Sequence, residues 1–228
     1  MTRDYLDVEY SQLDKPFTSY PDRLAKHLYT KFNFQPGMKL LEIGAGRCEM
    51  ASAFKRLGLT VYVIDSSESF EKYAENAKLH YERAQYQSDS DFIFFKKESF
   101  DVIFSKSFVE HILDPVDFSS KCKSRLVKGG YLLTLTPDWE TNYWNFFDDI
   151  THIKPFSKIT LRSMYTFTNF KEIEVFTIRQ LPSTWKSKTM LALSRLTALV
   201  IPTRLRTDIK WLRWSRELML VGCGRNSG

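Results

Sequence analysis

The stretch KLLEIGAGRCEM occupies residues 39–50, and how it is read decides the fold. An apolar run ends in an acid, Glu42, and is followed at once by Gly44-Ala45-Gly46. Strand, glycine turn and helix in that order open a ligand-binding α/β unit, where glycine lets the backbone approach a ligand closely. A dinucleotide fingerprint wants its third glycine at position 49, where Glu49 stands. The other glycine-rich nucleotide loop wants it at position 48, where Cys48 stands. A dinucleotide loop places a pyrophosphate on the start of the helix, and a carboxylate at position 49 would repel it. Glu42 and Glu49 suit a ligand with cationic groups instead.

The rest of the chain extends this unit. Pro36-Gly37 is a turn before the strand, and residues 49–57 read as a helix stopped by Gly58. TVYVID (residues 60–65) is a buried-type strand ending in a second acid, Asp65. Glu42 and Asp65 thus end successive strands about 20 residues apart, the spacing at which an acid accepts both hydroxyls of a ribose. Ser66 and Ser67 can cap a helix running to about Tyr81, with a weaker strand expected near Tyr86. FDVIFS (100–105) is another buried strand, SFVEHIL after it looks helical, and YLLTLT (131–136) is a strand closed by Pro137. Strands alternating with helices predict an α/β fold: a doubly wound, mostly parallel, Rossmann-like sheet of about seven strands with helices on both faces. ELMLVGCGR (217–225) reads as a last strand added to the sheet edge. The division that follows is a core over 1–180, a basic amphipathic helical insertion over 181–216, and the closing strand within 217–228. Ligands in such sheets sit outside the carboxyl ends of the strands. The glycine loop, Asp65, the Asp89 region, Ser105 and Pro137-Asp138 all fall on that edge.

Together these stretches resemble the class I S-adenosylmethionine-dependent methyltransferases over residues 36–176. LLEIGAGRC is similar to that family's first motif, which implies that Glu42, Gly44, Ala45 and Gly46 line the methionine and ribose side of the cofactor. VYVIDSS is similar to the second motif, which makes Asp65 the ribose acid with Ser66 beside it. SDSDFIFFKKESFDVIFSKSFVEHILDP resembles the third and fourth motifs. It implies that Asp89 contacts the adenine amino group, that Ser90 offers a backbone amide to the ring, and that Ser105 ends the strand beneath. LVKGGYLLTLTP resembles the strand-five motif. The departure is Cys48 for the usual third glycine, a small residue at a position that need not meet the ligand. Taken singly, Asp65 reads as a helix cap, Asp89 as a solvated loop acid and Ser105 as a strand-end serine.

The segment after the fifth strand, PDWETNYWNFFDDITHIKPFS, is long and aromatic and carries Asp138, Asp148, Asp149 and His152. A loop of that length in a compact domain is usually functional, and aromatic faces suit a sugar or another flat ring. A hydroxyl acceptor needs a base. His152 is the candidate, with Asp138 in reserve. The competing reading is that His152 orders the loop by bonding a backbone carbonyl, with Pro155-Phe156 as an anchor and Ser157 as a helix cap. His111, in the short helix, reads first as a packing residue, with a catalytic role as the lesser alternative. THIKPFS resembles methyltransferases of cell-surface polysaccharide and glycolipid biosynthesis. That likeness implies O-methylation of a sugar in a glycan, glycolipid or small molecule.

Charge and composition bound the partners. The 228 residues carry a net charge of +6. From Lys171 onward there are eleven Lys and Arg against four Asp and Glu, +7, which leaves −1 for residues 1–170. The localised excess, mixed with Trp185, Trp211 and Trp214, predicts either a helical layer with a solvated face or peripheral contact with an anionic membrane. The alternative function is an RNA-modifying methyltransferase using the basic region as a phosphate footprint. Interleaved Leu and Trp and the lack of an RNA module weigh against nucleic acid. Three unspaced cysteines and an N-terminus without a signal-type apolar run fit a cytoplasmic protein, peripheral at the inner membrane face if the membrane reading holds. No sequence spacing points to a metal, and nothing sets an oligomeric state.

Overall fold

Alternate residues of KLLEI feed two separate cores. In the computed structural model, which describes residues 4–9, 16–86, 95–202 and 204–228, Leu40 is buried on one face of the sheet and Leu41 on the other. Asp89 and Ser90 lie outside the described residues. The elements run α1 (Tyr5–Glu9), α2 (Tyr20–Lys31), β1 (Lys39–Ile43), α3 (Glu49–Arg56), β2 (Thr60–Asp65), α4 (Glu68–Asn76), β3 (His80–Arg83) and β4 (Phe100–Lys106). They continue with α5 (Pro115–Arg125), β5 (Leu126–Pro137), α6 (Trp139–Asn142), α7 (Lys158–Phe167), β6 (Lys171–Arg179), α8 (Pro182–Lys186), α9 (Lys188–Val200), α10 (Lys210–Arg216) and β7 (Leu218–Arg225).

The seven strands form one sheet in the order β3-β2-β1-β4-β5-β7-β6. β1 to β5 run parallel, whereas β7 is antiparallel to both β5 and β6, so the sheet is mixed. α2, α3 and α4 cover one face and α5 and α7 the other. The last strand is not the edge expected from the sequence, because β7 lies between β5 and β6. All but its first and last residues are buried, and a strand apolar on both faces belongs inside a sheet. β6 takes the edge and carries Lys171, Glu172 and Glu174 there, charges that discourage further strand pairing. Tyr165 lies flat on β7 and donates its hydroxyl to the Gly222 carbonyl at 2.9 Å. A Cβ at Gly224 would stand 2.6 Å from that ring.

Three local expectations shift. The helix expected to reach Tyr81 stops at Asn76, because Lys78 turns into the left-handed region at φ 52. β3 therefore occupies 80–83 rather than the Tyr86 region. SFVEHIL contributes only a 3-10 turn, Val109–His111. Ser67 sits at the N-cap of α4 without capping it by its side chain. Asp4 does that work from the N-terminal segment, accepting from Ser67 Oγ at 2.7 Å and from the Glu68 amide at 2.8 Å.

Candidate active site

The carboxyl edge of the parallel strands opens into a cavity of about 1180 Å³. Glu42, Gly44, Ala45, Gly46, Asp65 and Ser66 all line it. The glycine loop is folded by its own backbone. The Gly44 and Ala45 amides donate to the Ile64 carbonyl at 2.9 and 3.2 Å, which ties the loop to β2. Asp65 accepts from the Gly46 amide at 2.8 Å through Oδ2 and from the Ser67 amide at 2.9 Å through Oδ1. Each oxygen keeps a lone pair that a ribose hydroxyl can use. Burial raises the Asp65 pKa despite those amides. Gly44 has φ +75, and a Cβ there would stand 2.6 Å from Phe108 Cδ2. Cys48 occupies the left-handed region at φ 57 and is fully buried. That conformation is why a glycine is usual at this position.

Glu42 is the unusual group. It is 3% exposed, and its Oε2 finds no hydrogen-bond partner among the described residues. Burial pushes its carboxyl up to about 8, with Lys106 pulling downward and Asp65 and Glu49 pushing further up. The Ala51 amide and Lys106 only partly offset that burial, so the carboxylate stays costly until a further cation pairs with it. The sulfonium and ammonium of S-adenosylmethionine fit that demand, and a pyrophosphate does not.

The acceptor side departs from the sequence reading. Ser105 does not reach the cavity: it is buried, its hydroxyl 3.4 Å from Thr134 Oγ1, and β4 runs on to Lys106. Lys106, Ser107 and Phe108 line the cavity in its place. Asp138 is also turned away. It is 2% exposed, its amide donates to the Leu218 carbonyl at 3.1 Å, and its carbonyl accepts from Asn142 Nδ2 at 2.9 Å. It joins the end of β5 to β7 and is not among the cavity residues.

His152 is set behind the wall as well. Its Nδ1 donates to the Phe146 carbonyl at 2.5 Å, and its ring packs on Phe146 with centroids 4.6 Å apart. Phe156 is buried and Ser157 caps α7 in a capping box, so this segment is anchored as the loop-ordering alternative describes. The imidazole at the wall is His111. Its Nδ1 lies 3.2 Å from the Thr151 carbonyl and 2.9 Å from Thr151 Oγ1. Thr151 Oγ1 itself donates to Asp149 Oδ1 at 2.5 Å. A carbonyl only accepts, so Nδ1 carries the proton and Nε2 keeps its lone pair. Burial, and then the neighbouring His152 at 4.7 Å between ring centroids, lowers the His111 pKa.

Glu110 ties these parts together. It is fully buried, accepts from Thr136 Oγ1 at 3.0 Å, and its carbonyl takes the Ile153 and Lys154 amides at 2.9 and 3.0 Å. Burial pushes its carboxyl up to about 7. Glu110, His111 and His152 offer ligand atoms within 4.8 Å of one another, a spacing that one divalent cation could span and that no sequence spacing announced. The sequence ranks His111 below His152 because the Thr151 carbonyl that orients its ring lies 40 residues away. The usable signal was position: a turn directly after β4 opens on the same edge as the glycine loop.

Residues 41–134 match the family described as "Methyltransferase domain". That match lies on the glycine loop and the parallel strands around the cavity, and the chain shares its fold with solved S-adenosylmethionine-dependent methyltransferases. A ubiquinone biosynthesis O-methyltransferase of Nitrobacter winogradskyi is 33% identical over 126 residues, covering 53% of this chain and 46% of that protein. One of the same name from Dinoroseobacter shibae is 31% identical over 105 residues, covering 44% and 41%. The chain thus spans less than half the length of these relatives. Among solved structures, a methyltransferase in complex with the Trm112 activator of Haloferax volcanii shares the fold with a TM-score of 0.72 at 16% identity, covering 100% of both chains. A SAM-dependent methyltransferase from Archaeoglobus fulgidus gives 0.65 at 19% identity, covering 97% of this chain and 100% of that one. No helix among the described residues is long and apolar enough to cross a membrane.

Proposed function

We propose that the chain is an O-methyltransferase that moves the methyl of S-adenosylmethionine to a hydroxyl on a small ring-bearing acceptor, with His111 as the base. The curated relatives are named for O-methylation in ubiquinone biosynthesis. They give no support to the polysaccharide expectation drawn from THIKPFS, so the proposal keeps the hydroxyl and drops the glycan. The observation that carries it is His111 at the cavity wall, with Nδ1 held on the Thr151 carbonyl.

The bound cofactor supplies an electrophilic methyl on a positively charged sulfur. Glu42 and Asp65 would hold its cationic and ribose groups, and Phe108 would wall the cleft against water. With the cofactor bound, its methyl would pass to the acceptor oxygen and the C–S bonding pair would stay on sulfur. His111 Nε2 takes the hydroxyl proton. Orientation and water exclusion contribute the remainder of the rate.

The test is turnover of labelled cofactor against a panel of phenolic and sugar hydroxyls. His111→Ala lowers kcat roughly a hundredfold or more, the usual scale for a lost general base, while affinity for S-adenosylhomocysteine stays at the parent value. His152→Ala lowers it less. The parent rate rises with pH through the lowered His111 pKa, so its acid limb falls below the ordinary histidine value of 6.5. Parent-like turnover of His111→Ala would sink the base assignment. Loss of activity with a chelator and recovery with Mg²⁺ would recast His111 as a metal ligand.

A further inference from the structure

α9 is built inside out. Its sheltered side holds the polar contacts: Ser194 Oγ donates to Ser215 Oγ at 2.7 Å, and Thr197 Oγ1 accepts from Trp211 Nε1 at 3.1 Å. Its outer side shows Leu193, Leu196, Leu199 and Val200 at 51, 59, 82 and 78% exposure. Those four recur at the three- and four-residue steps that define one helical face. A helix on a soluble domain normally turns that face inward.

The stripe does not end with the helix. Leu205 and Ile209 follow it, 43 and 60% exposed. Arg204 stacks on the Trp144 ring at 4.0 Å, and Arg206 pairs with Asp148 at 3.1 Å. Those two contacts join the α9–α10 connection to the segment after α6. There Trp144, Phe147 and Ile150 are exposed by 44, 60 and 95%. Two sequence-distant segments therefore present apolar side chains on adjoining surfaces.

The border is basic. Lys186, Lys188, Arg195, Arg204 and Lys210 are exposed, and none is in an ion pair among the described residues. From residue 181 to 216 the chain has eight Lys and Arg and one acid, Asp208.

We propose that this face docks on an anionic lipid bilayer, with α9 lying in the headgroup plane and its leucines among the acyl chains. Its 13 residues rise about 20 Å, too short to span a bilayer but enough to lie on one. An apolar stripe bordered by unpaired cations is the pairing of signals that holds a protein on anionic lipid. A second copy of the chain suits the face poorly, because a twofold contact would set these cations against their own symmetry mates. Lys210 belongs to this border and also lines the cavity, so the bilayer would lie beside the mouth of the active site.

Co-sedimentation of the full chain with vesicles tests this, comparing phosphatidylcholine alone with phosphatidylcholine containing phosphatidylglycerol, at low and high salt. The parent binds the anionic vesicles, binds neutral ones weakly, and is released by salt. Leu193→Ser with Leu196→Ser and Leu199→Ser lowers binding about tenfold or more. Lys188→Glu with Arg195→Glu does the same without touching the apolar stripe. Both variants keep the parent affinity for S-adenosylhomocysteine, which shows that they fold and separates this outcome from any failure of the catalytic proposal. A parent that ignores anionic vesicles overturns the proposal, as does equal binding by parent and the Lys188/Arg195 variant. A parent that is a dimer in solution, and becomes a monomer in the leucine variant, also overturns it by assigning the face to a second copy.

Discussion

The glycine loop on the cofactor side is held chiefly by contacts within one short stretch of chain, and the wall around His111 by contacts between distant stretches. Gly46 reaches Asp65 across 19 residues, and both belong to one strand–loop–helix–strand unit. His111 reaches Thr151 across 40. A local unit writes its geometry into spacing and residue type. A long-range pair leaves no such trace, because either member could be moved along the chain without changing the local pattern.

Asp65→Ala is the largest test of that contrast. It removes an acceptor from the ribose and from the Gly46 amide together. Cofactor affinity falls by about 1–3 kcal/mol, the scale of leaving buried donors unpaired. Isothermal titration with S-adenosylhomocysteine measures it. Unchanged affinity would mean that the short-range side is organised by something other than this acid.

Glu42 gives a subtler effect. Its folded pKa of about 8 stands above the ordinary 4.5, so near neutral pH the ligand-free protein holds a proton there that the unfolded chain has released. The stability it contributes is complete below 4.5 and is lost as pH rises to about 8. Melting temperature of the ligand-free protein therefore falls across that window, and Glu42→Gln flattens the fall. Cofactor binding near pH 7 expels the proton, seen as heats that depend on the buffer's ionisation enthalpy. Buffer-independent heats would show that Glu42 already carries its charge.

Cys48→Gly is the smallest. Glycine relieves the left-handed backbone but loses a buried side chain and loosens the unfolded chain. The opposing effects leave stability within about 1 kcal/mol of the parent. A larger loss in thermal melts would show that the thiol fills a place in the core that a turn argument does not see.

The sequence made the cofactor edge legible because each strand ended in a residue with a chemical reason to be there: Glu42, then Asp65. It hid β7's place in the sheet because chain order suggested the edge, although the charges of β6 beside the apolar faces of β7 were the signal that ranks them. It also made His152 look better placed than His111. Chain order put His152 in the aromatic loop, but Phe146 captures its Nδ1, and the turn after β4 brings the other imidazole to the wall. Asp4 as the cap of α4 lay 64 residues from the amide it accepts, beyond any local signal.

One rung of the sheet has a wider consequence. Arg179 and Leu218 sit opposite each other in the β6–β7 ladder, and all of α8, α9 and α10 is strung between them. Loop-closure entropy grows only logarithmically, about 0.6 kcal/mol for each doubling of length. The sheet thus sets almost no limit on what this rung carries. By that measure the helices there could change in length and outer surface while the ladder beneath keeps its register, so long as Lys210 and its neighbours still wall the cavity. Replacing them with a tight hairpin would yield a smaller domain from which the outward leucines and their basic border are gone.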